Sequence, residues 1–134
     1  MKPAMSVEII PFEIQYAKDF ERLNLEWLEK YFRVEPADRA VLSKPQQIVD
    51  DGGDVFLARL GQEIVGTGAL IHEGHDHFEL SKMAVTARHQ GQGIGRKLLS
   101  SALEAFRTRG GKELFLETNT ALVKIGRASC RERV

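Results

Sequence analysis

Cysteine is nearly absent from this sequence, which has a single one, Cys130, among 134 residues. An intrachain disulfide and a cysteine-based metal cluster are therefore both excluded. The 19 basic and 19 acidic residues cancel to a formal net charge of zero, so no excess of one sign attracts nucleic acid or a membrane surface. The sequence also lacks an apolar run long enough to span a membrane.

A secretory signal is absent as well, because the N-terminus has no basic stretch followed by an apolar one. The cytosol is therefore the expected compartment. With 43% apolar residues, a chain of this length can form one domain with a substantial core.

The most informative stretch, residues 78–106, changes its apolar period in the middle. Apolar and polar residues nearly alternate over residues 78–85, which is typical of a half-buried strand. The alternation breaks at Lys82 and Met83, which indicates a bulge. After Gly95, apolar residues recur at three- and four-residue spacing and predict an amphipathic helix.

That helix is expected to end at the glycine pair 110–111, and residues 113–117 are expected to form the next strand. Three glycines at alternate positions, Gly91, Gly93 and Gly95, separate the first strand from the helix. Glycines permit positive φ and close approach to the main chain, and the first N–H groups of a helix have no internal partner. The bend therefore favours a phosphate or diphosphate, and the alternative is a flexible surface turn.

The spacing of these glycines argues against two common nucleotide loops. A Walker loop requires Gly-x4-Gly-Lys-Ser/Thr, and that pattern is absent. A Rossmann fingerprint requires a small residue at its sixth position, where this sequence has Arg96 counted from Gly91 and Leu98 counted from Gly93. Glu117 at the end of the next strand resembles a ribose-binding acid, so a dinucleotide-binding fragment stays an alternative.

The motif Gln90-x-x-Gly93-x-Gly95 resembles the Gln/Arg-x-x-Gly-x-Gly/Ala signature of the GCN5-related N-acetyltransferases. The preceding Glu-Leu-x-x-Met-x-Val run is similar to the fourth strand of that family. The resemblance extends from Phe12 to about Val123. It implies an α/β (α+β) fold with a mixed, mostly antiparallel sheet flanked by helices, without the last helix and strands of the family.

The resemblance also implies a set of residues that bind acetyl-CoA as a cosubstrate. In that family the glycine loop binds the pyrophosphate through its backbone, the preceding strand pairs with the pantetheine arm, and a position after the next strand faces the cofactor. The corresponding residues here are Met83, Ala84, Val85, Gln90, Gly91, Gln92, Gly93, Ile94, Gly95, Arg96 and Asn119.

Glu79 is the candidate catalytic residue. It precedes Gln90 by eleven residues, the spacing at which histone-acetylating members of the family place a general base. The alternative is a solvent-facing or acceptor-binding residue, since related enzymes often use a chain of waters. A main-chain N–H of Met83 or Val85 is expected to hold the thioester carbonyl, and no residue is assigned as the general acid.

The rest of the chain predicts a sheet with helices on its faces. The aromatic residues Trp27, Tyr31 and Phe32 are expected to lie mostly in the core, and the family resemblance makes an acceptor pocket the alternative. Strands are predicted at residues 7–10, 55–60 and 64–71, helices at 15–32 and 45–50, and a loop at 33–44.

Four histidines lie near the predicted strand. His72, His75 and His77 match no metal-ligand spacing, and Gly74 among them predicts an exposed turn, so no metal site is expected. His89 beside the glycine loop is expected to be a solvated neighbour.

Residues 125–134 match the in-frame translation of a common sequencing-library adapter at ten consecutive positions. We therefore expect a native reading frame that ends near residue 123 or 124. This interpretation gives an N-acetyltransferase domain over residues 1–123, incomplete at its C-terminus, and a non-native tail over residues 124–134. The DNA sequence of the source beyond this point would test it.

The function implied by the resemblance is transfer of an acetyl group from acetyl-CoA to a primary amine, by direct attack in a ternary complex. The acceptor partner would be a small-molecule amine or a peptide amine, and a homodimer stays open. A non-catalytic CoA-binding or sensing module is an alternative, because such a module keeps the glycine loop without working acid-base groups.

Overall fold

The computed structural model describes residues 6–31, 35–117 and 122–127. The part of the chain described contains six strands and four α-helices, with short 3-10 turns at Ile14–Tyr16 and Ala87–His89. The strands are β1 (Val7–Pro11), β2 (Asp54–Leu60), β3 (Glu63–His72), β4 (His77–Val85), β5 (Glu113–Glu117) and β6 (Leu122–Arg127). The helices are α1 (Ala17–Tyr31), α2 (Pro36–Leu42), α3 (Pro45–Asp50) and α4 (Ile94–Thr108).

The strands form one sheet in chain order, from β1 at one edge to β6 at the other. Neighbouring strands are antiparallel except for β4 and β5, which are parallel and are connected by α4. The predicted mixed, mostly antiparallel sheet is therefore confirmed. A dinucleotide-binding fold requires a mostly parallel sheet, so this topology argues against the dinucleotide-fragment interpretation.

Helices cover both faces of the sheet. Ala69 and Leu70 are neighbours on β3 and belong to different core clusters, because successive strand residues point to opposite faces. The face covered by α4 contains Leu70, Phe78, Leu80, Ala102, Phe106 and Leu114, together with Ala58, Val65, Ile94 and Leu98. The face covered by α1 to α3 contains Phe20, Leu42, Ile48, Val55 and Ala69, together with Leu23, Leu57, Ile64 and Ala84.

The C-terminal end of α4 is tied to β2 by an ion pair. The Arg109 guanidinium donates to both carboxylate oxygens of Asp54, over 2.5 and 3.1 Å. This hydrogen bonding raises the pKa of Arg109 above its usual value, so the cation persists throughout the pH range in which proteins fold. The pair fixes the end of α4 that lies away from the glycine loop.

Two predictions about secondary structure are wrong. Residues 36–42 form α2 inside the stretch predicted as a loop. Pro36 is the first residue of that helix, where its missing N–H costs no hydrogen bond, and Leu42 is buried. No strand was expected after β5, yet Leu122–Arg127 pairs antiparallel with it. Residues 125–127 of this strand belong to the adapter-like segment.

The bulge predicted in β4 is confirmed. Thr67 on β3 pairs with Ala84, and Ala69 pairs with Ser81, so two residues of β4 stand opposite one residue of β3. Lys82 is the first of the two and has a φ of 55°, an uncommon value for a residue other than glycine. The bulge lies just before the segment that approaches the glycine loop.

The turn predicted around Gly74 is also confirmed. The His77 N–H donates to the Gly74 carbonyl at 2.9 Å, and Nε2 of His72 lies 2.6 Å from the His75 carbonyl oxygen. Within the ranges given above, no group of three or more His, Cys, Asp or Glu side chains is arranged to hold a metal. No helix described for this chain combines the length and apolar character needed to cross a membrane.

Candidate functional site

The two edges of β4 are bordered differently along its length. On one side, β4 pairs with β5 only from His77 to Leu80. On the other side, its pairing with β3 continues to Val85. Among the strands described, the half of β4 after Leu80 is therefore bordered by β3 alone.

The glycine loop lies at the end of this half of β4. Gly91 and Gly93 both have a φ of 81°, which only glycine adopts readily, and a Cβ atom at either position would meet no heavy atom within 4 Å. Gly93 caps α4 without any side-chain hydrogen bond. The first intrahelical bond runs from the Lys97 N–H to the Gly93 carbonyl, over 3.1 Å, so the N–H groups of residues 94–96 precede it.

Two side-chain contacts are made by residues of the loop, and one of them connects the loop to β4. The Gln90 side-chain amide donates to the Val85 carbonyl at 3.0 Å and connects the loop to the end of β4. Nδ1 of His89 lies 3.4 Å from the side-chain oxygen of Gln92. The side chain of Gln90 therefore supports the loop from β4.

A cleft of about 310 Å³ opens between the loop, the end of β4 and α1. It contains most of the residues that the family resemblance assigned to acetyl-CoA, and two further residues. Its lining consists of Trp27, Met83, Ala84, Val85, His89, Gln90, Gly91, Gly93, Ile94 and Gly95.

Trp27 was expected in the core, and for this residue the expectation is wrong. Its side chain is 37% exposed and forms the wall of the cleft contributed by α1. The apolar stripe of a helix predicts which of its residues face the sheet. It does not predict which of those residues border a cleft. Phe32 lies outside the described residues.

Three assigned residues among those described do not line this cleft. Gln92 contacts His89, and Arg96 is exposed on the first turn of α4. Glu79 is only 9% exposed and lies on the α1 side of β4, opposite Ile71 on β3. Asn119 falls outside the residues that the structure describes.

Glu26 and Thr86 contribute to the site and were not predicted. The Glu26 carboxylate accepts the main-chain N–H of Ala87 at 3.1 Å and lies 3.3 and 3.4 Å from the Thr86 hydroxyl. The contact joins α1 to the segment between β4 and the glycine loop. In the sequence, Glu26 lies 60 residues from Thr86 and 61 residues from Ala87. No local pattern indicates contacts over such a separation.

Three basic residues flank the loop, and one of them, Arg88, is neutralised by an acidic partner. Arg88 forms an ion pair with Glu63, and Nζ of Lys97 donates to the Val7 carbonyl at 3.3 Å. Arg96 adds a third positive charge on the first turn of α4. Together with the first N–H groups of α4, which precede the intrahelical bonds, the positive charges of Lys97 and Arg96 favour an anionic ligand such as a diphosphate.

Comparison with known proteins gives concordant results. A sequence model of the acetyltransferase (GNAT) family matches residues 19–125. The rat (Rattus norvegicus) protein N-acetyltransferase 8B is 35% identical over 88 residues, which are 62% of this chain and 39% of the rat protein. This chain thus spans about two fifths of the length of that relative.

Solved structures share the fold. A GNAT-family acetyltransferase from Staphylococcus aureus superposes with a TM-score of 0.77 and 24% identity, covering 84% of this chain and 73% of the other. One from Brucella melitensis, solved in complex with acetyl-CoA, gives a TM-score of 0.73 and 16% identity, covering 86% and 79%. At these identities the two structures establish the fold alone.

Proposed function

The chain belongs to the GNAT family of acetyltransferases, and on that premise we propose that it transfers an acetyl group from acetyl-CoA to a primary amine. The amine would attack directly in a ternary complex. One observation carries the proposal: a helix N-terminus without a side-chain cap and an open glycine loop adjoin a stretch of β4 that, among the described residues, pairs only with β3. The first element suits a diphosphate, and the second suits an extended amide chain.

The residues present fit acetyl-CoA. The open space around Gly91 and Gly93 would admit a diphosphate to the main-chain N–H groups of residues 91–96. The part of β4 after Leu80 contains Met83, Ala84 and Val85. Its main-chain groups would pair with the pantetheine arm. When bound, acetyl-CoA would supply the acyl thioester.

The other steps would rest on groups of this chain. An amine attacks only when neutral, and Glu79 would accept the proton that it loses. The low exposure of Glu79 requires the acceptor to reach it from the α1 side of β4. A main-chain N–H of Met83 or Val85 would donate to the acyl oxygen.

The relatives support the type of reaction and leave the acceptor open. The rat relative is named as an N-acetyltransferase, and the Brucella structure contains acetyl-CoA. The acceptor would be a small-molecule amine or a peptide amine. Because the chain spans only part of its curated relatives, the activity of the whole protein belongs to this proposal as well.

Calorimetric titration of the full chain with acetyl-CoA, and separately with NADH, tests the ligand. We expect binding of acetyl-CoA, no binding of NADH, and loss of binding in Gly93→Glu, because the new carboxylate would occupy the loop. Gly74→Glu is the matched control. It adds the same charge at a positive-φ glycine with open space, in the turn at the opposite end of β4. Equal affinity in the two variants would contradict the diphosphate site.

A non-catalytic CoA-binding module is a second candidate, and the burial of Glu79, which is only 9% exposed, favours it. Release of CoA thiol over a panel of amines separates the two functions. An acetyltransferase releases thiol, and its rate in Glu79→Gln should fall mainly near neutral pH. A module binds acetyl-CoA and releases no thiol with any amine.

A further inference from the structure

Glu26 fixes the segment that connects β4 to the glycine loop. Its Oε2 accepts the Ala87 N–H at 3.1 Å, and its two oxygens lie 3.4 and 3.3 Å from the Thr86 hydroxyl. The Thr86 N–H donates to the Val65 carbonyl on β3 at 2.9 Å. The two residues after β4 are thus held by α1 on one side and by the sheet on the other.

Residues that follow each partner of this contact in the chain lead to the cleft. Trp27 follows Glu26 on α1 and lines the cleft. Beyond Ala87, the His89 N–H donates to the Thr86 carbonyl at 2.9 Å, which closes the 3-10 turn that leads into the glycine loop. Because adjacent residues of a helix move together, the bond that fixes Glu26 to Ala87 also fixes the backbone of Trp27 relative to the loop.

We propose that Glu26 is a positioning residue that couples the placement of Trp27 to the conformation of the glycine loop. The identity of the ligand in this coupling, acetyl-CoA, rests on the proposed function. Binding of acetyl-CoA at the loop and the observed position of Trp27 would favour the same loop conformation. Each would then stabilise the other by the same free energy. The wall of the cleft and the coenzyme site therefore act as one unit.

Electrostatic repulsion and positioning predict opposite changes in the affinity for acetyl-CoA when Glu26 is removed. A carboxylate near a diphosphate opposes binding, so its removal would tighten binding of acetyl-CoA. Positioning predicts weaker binding on removal, because the segment before the loop loses its anchor. Glu26→Gln separates the two effects, since the amide oxygen still accepts the Ala87 N–H while the charge is gone.

The experiment uses the single tryptophan of the chain, whose emission reports Trp27 alone. Emission and the dissociation constant for acetyl-CoA are measured for the full-length wild type, Glu26→Ala, Glu26→Gln and Thr86→Val. Glu29→Ala is the control, because it removes the same charge from an exposed position one turn further along α1. Circular dichroism and thermal melting verify that each variant folds.

We expect Glu26→Ala to shift the Trp27 emission and to raise the dissociation constant about tenfold, within the range of single coupling contacts. Glu26→Gln and Glu29→Ala should stay within about twofold of the wild type, as expected where the acceptor is kept or the site is not touched. A merely structural residue would lower the melting temperature and leave the emission and the dissociation constant of the folded protein unchanged.

Unchanged emission in Glu26→Ala, with equal or tighter binding, would overturn the proposal. If Glu26→Ala does not fold, Thr86→Val decides, because it removes the hydroxyl contacts with Glu26 and keeps the shape of the side chain. Since the Ala87 N–H bond stays, we expect a smaller shift of the Trp27 emission, and unchanged emission with unchanged binding would overturn the proposal. If the wild type itself does not bind acetyl-CoA, the proposed function fails. In that case the emission of the free variants still decides whether Glu26 positions Trp27.

Discussion

The side-chain amide of Gln90 donates a hydrogen bond to the main-chain carbonyl of Val85 over 3.0 Å. This bond joins the first residue of the glycine motif to the last residue of β4. A residue that the family signature associates with a diphosphate thus also closes the short connection that brings the loop back against the strand. The geometry of the loop depends on the strand that precedes it.

Replacement of Gln90 should therefore weaken binding of acetyl-CoA without unfolding the protein. Gln90→Ala removes a hydrogen bond worth ~1 kcal/mol, and the dissociation constant should rise about fivefold. Gln90→Glu should have a larger effect, because the carboxylate cannot donate and repels a phosphate. Calorimetry measures both variants, and Gln92→Ala in the same loop is the control. An effect of Gln92→Ala as large as that of Gln90→Ala would contradict the special role of Gln90.

Alanine substitutions at two glycines of the loop should have opposite effects on stability. At Gly95 the φ is ordinary and a Cβ would meet nothing within 4 Å. Gly95→Ala should add ~0.4–1 kcal/mol to the free energy of unfolding, mainly by restricting the unfolded chain. Gly93 has a φ of 81°, so Gly93→Ala should cost ~1 kcal/mol. Urea denaturation measures both, and two changes of the same sign would contradict the loop conformation described.

The bulge residue Lys82 should be sensitive to the shape of its replacement. Its φ of 55° suits asparagine far better than a β-branched residue. Lys82→Val should therefore be less stable than Lys82→Asn by ~1–2 kcal/mol, although valine is the better strand former. Chemical denaturation of the two variants gives the difference directly. If the valine variant were the more stable one, the positive φ at this position would be refuted.

Gly53 should tolerate no side chain. A Cβ there would overlap the Leu70 carbonyl oxygen and would lie 3.1 Å from the Ile48 carbonyl oxygen. Both obstacles are main-chain atoms of packed elements, so Gly53→Ala should lower the free energy of unfolding by more than ~2 kcal/mol. Gly95→Ala is the matched control at an open position. Similar melting temperatures for the two variants would disprove this packing.

The strand, the glycine loop and α4 could be predicted from the sequence because their signals are local. Apolar and polar residues alternate before Val85, and three spaced glycines follow. After Gly95, apolar residues recur every three to four positions. Each pattern determines the backbone conformation within a few residues. The strands predicted at residues 55–60 and 64–71, observed as β2 and β3, have local signals of the same kind. Gly61 at the turn between them has a φ of 65°, which a tight hairpin turn requires.

The features that were missed depend on contacts between distant segments. α2 is a short helix, and burial of Leu42 against the core stabilises it in a stretch whose composition suggested a loop. The Ala87 N–H and the Glu26 carboxylate that accepts it are 61 residues apart, so the sequence around neither residue indicates the bond.

The end of the β4–β5 pairing at Leu80 has a consequence for how this protein would tolerate substitution. A ligand held by main-chain amides makes little demand on side-chain type, so residues 83–85 can vary among extended-chain formers while their hydrogen-bonding edge persists. Proline is the exception, because it carries no amide hydrogen. Under the proposed function, recognition at this edge would be encoded in the path of the backbone, and a search that matches functional residues by type would overlook it.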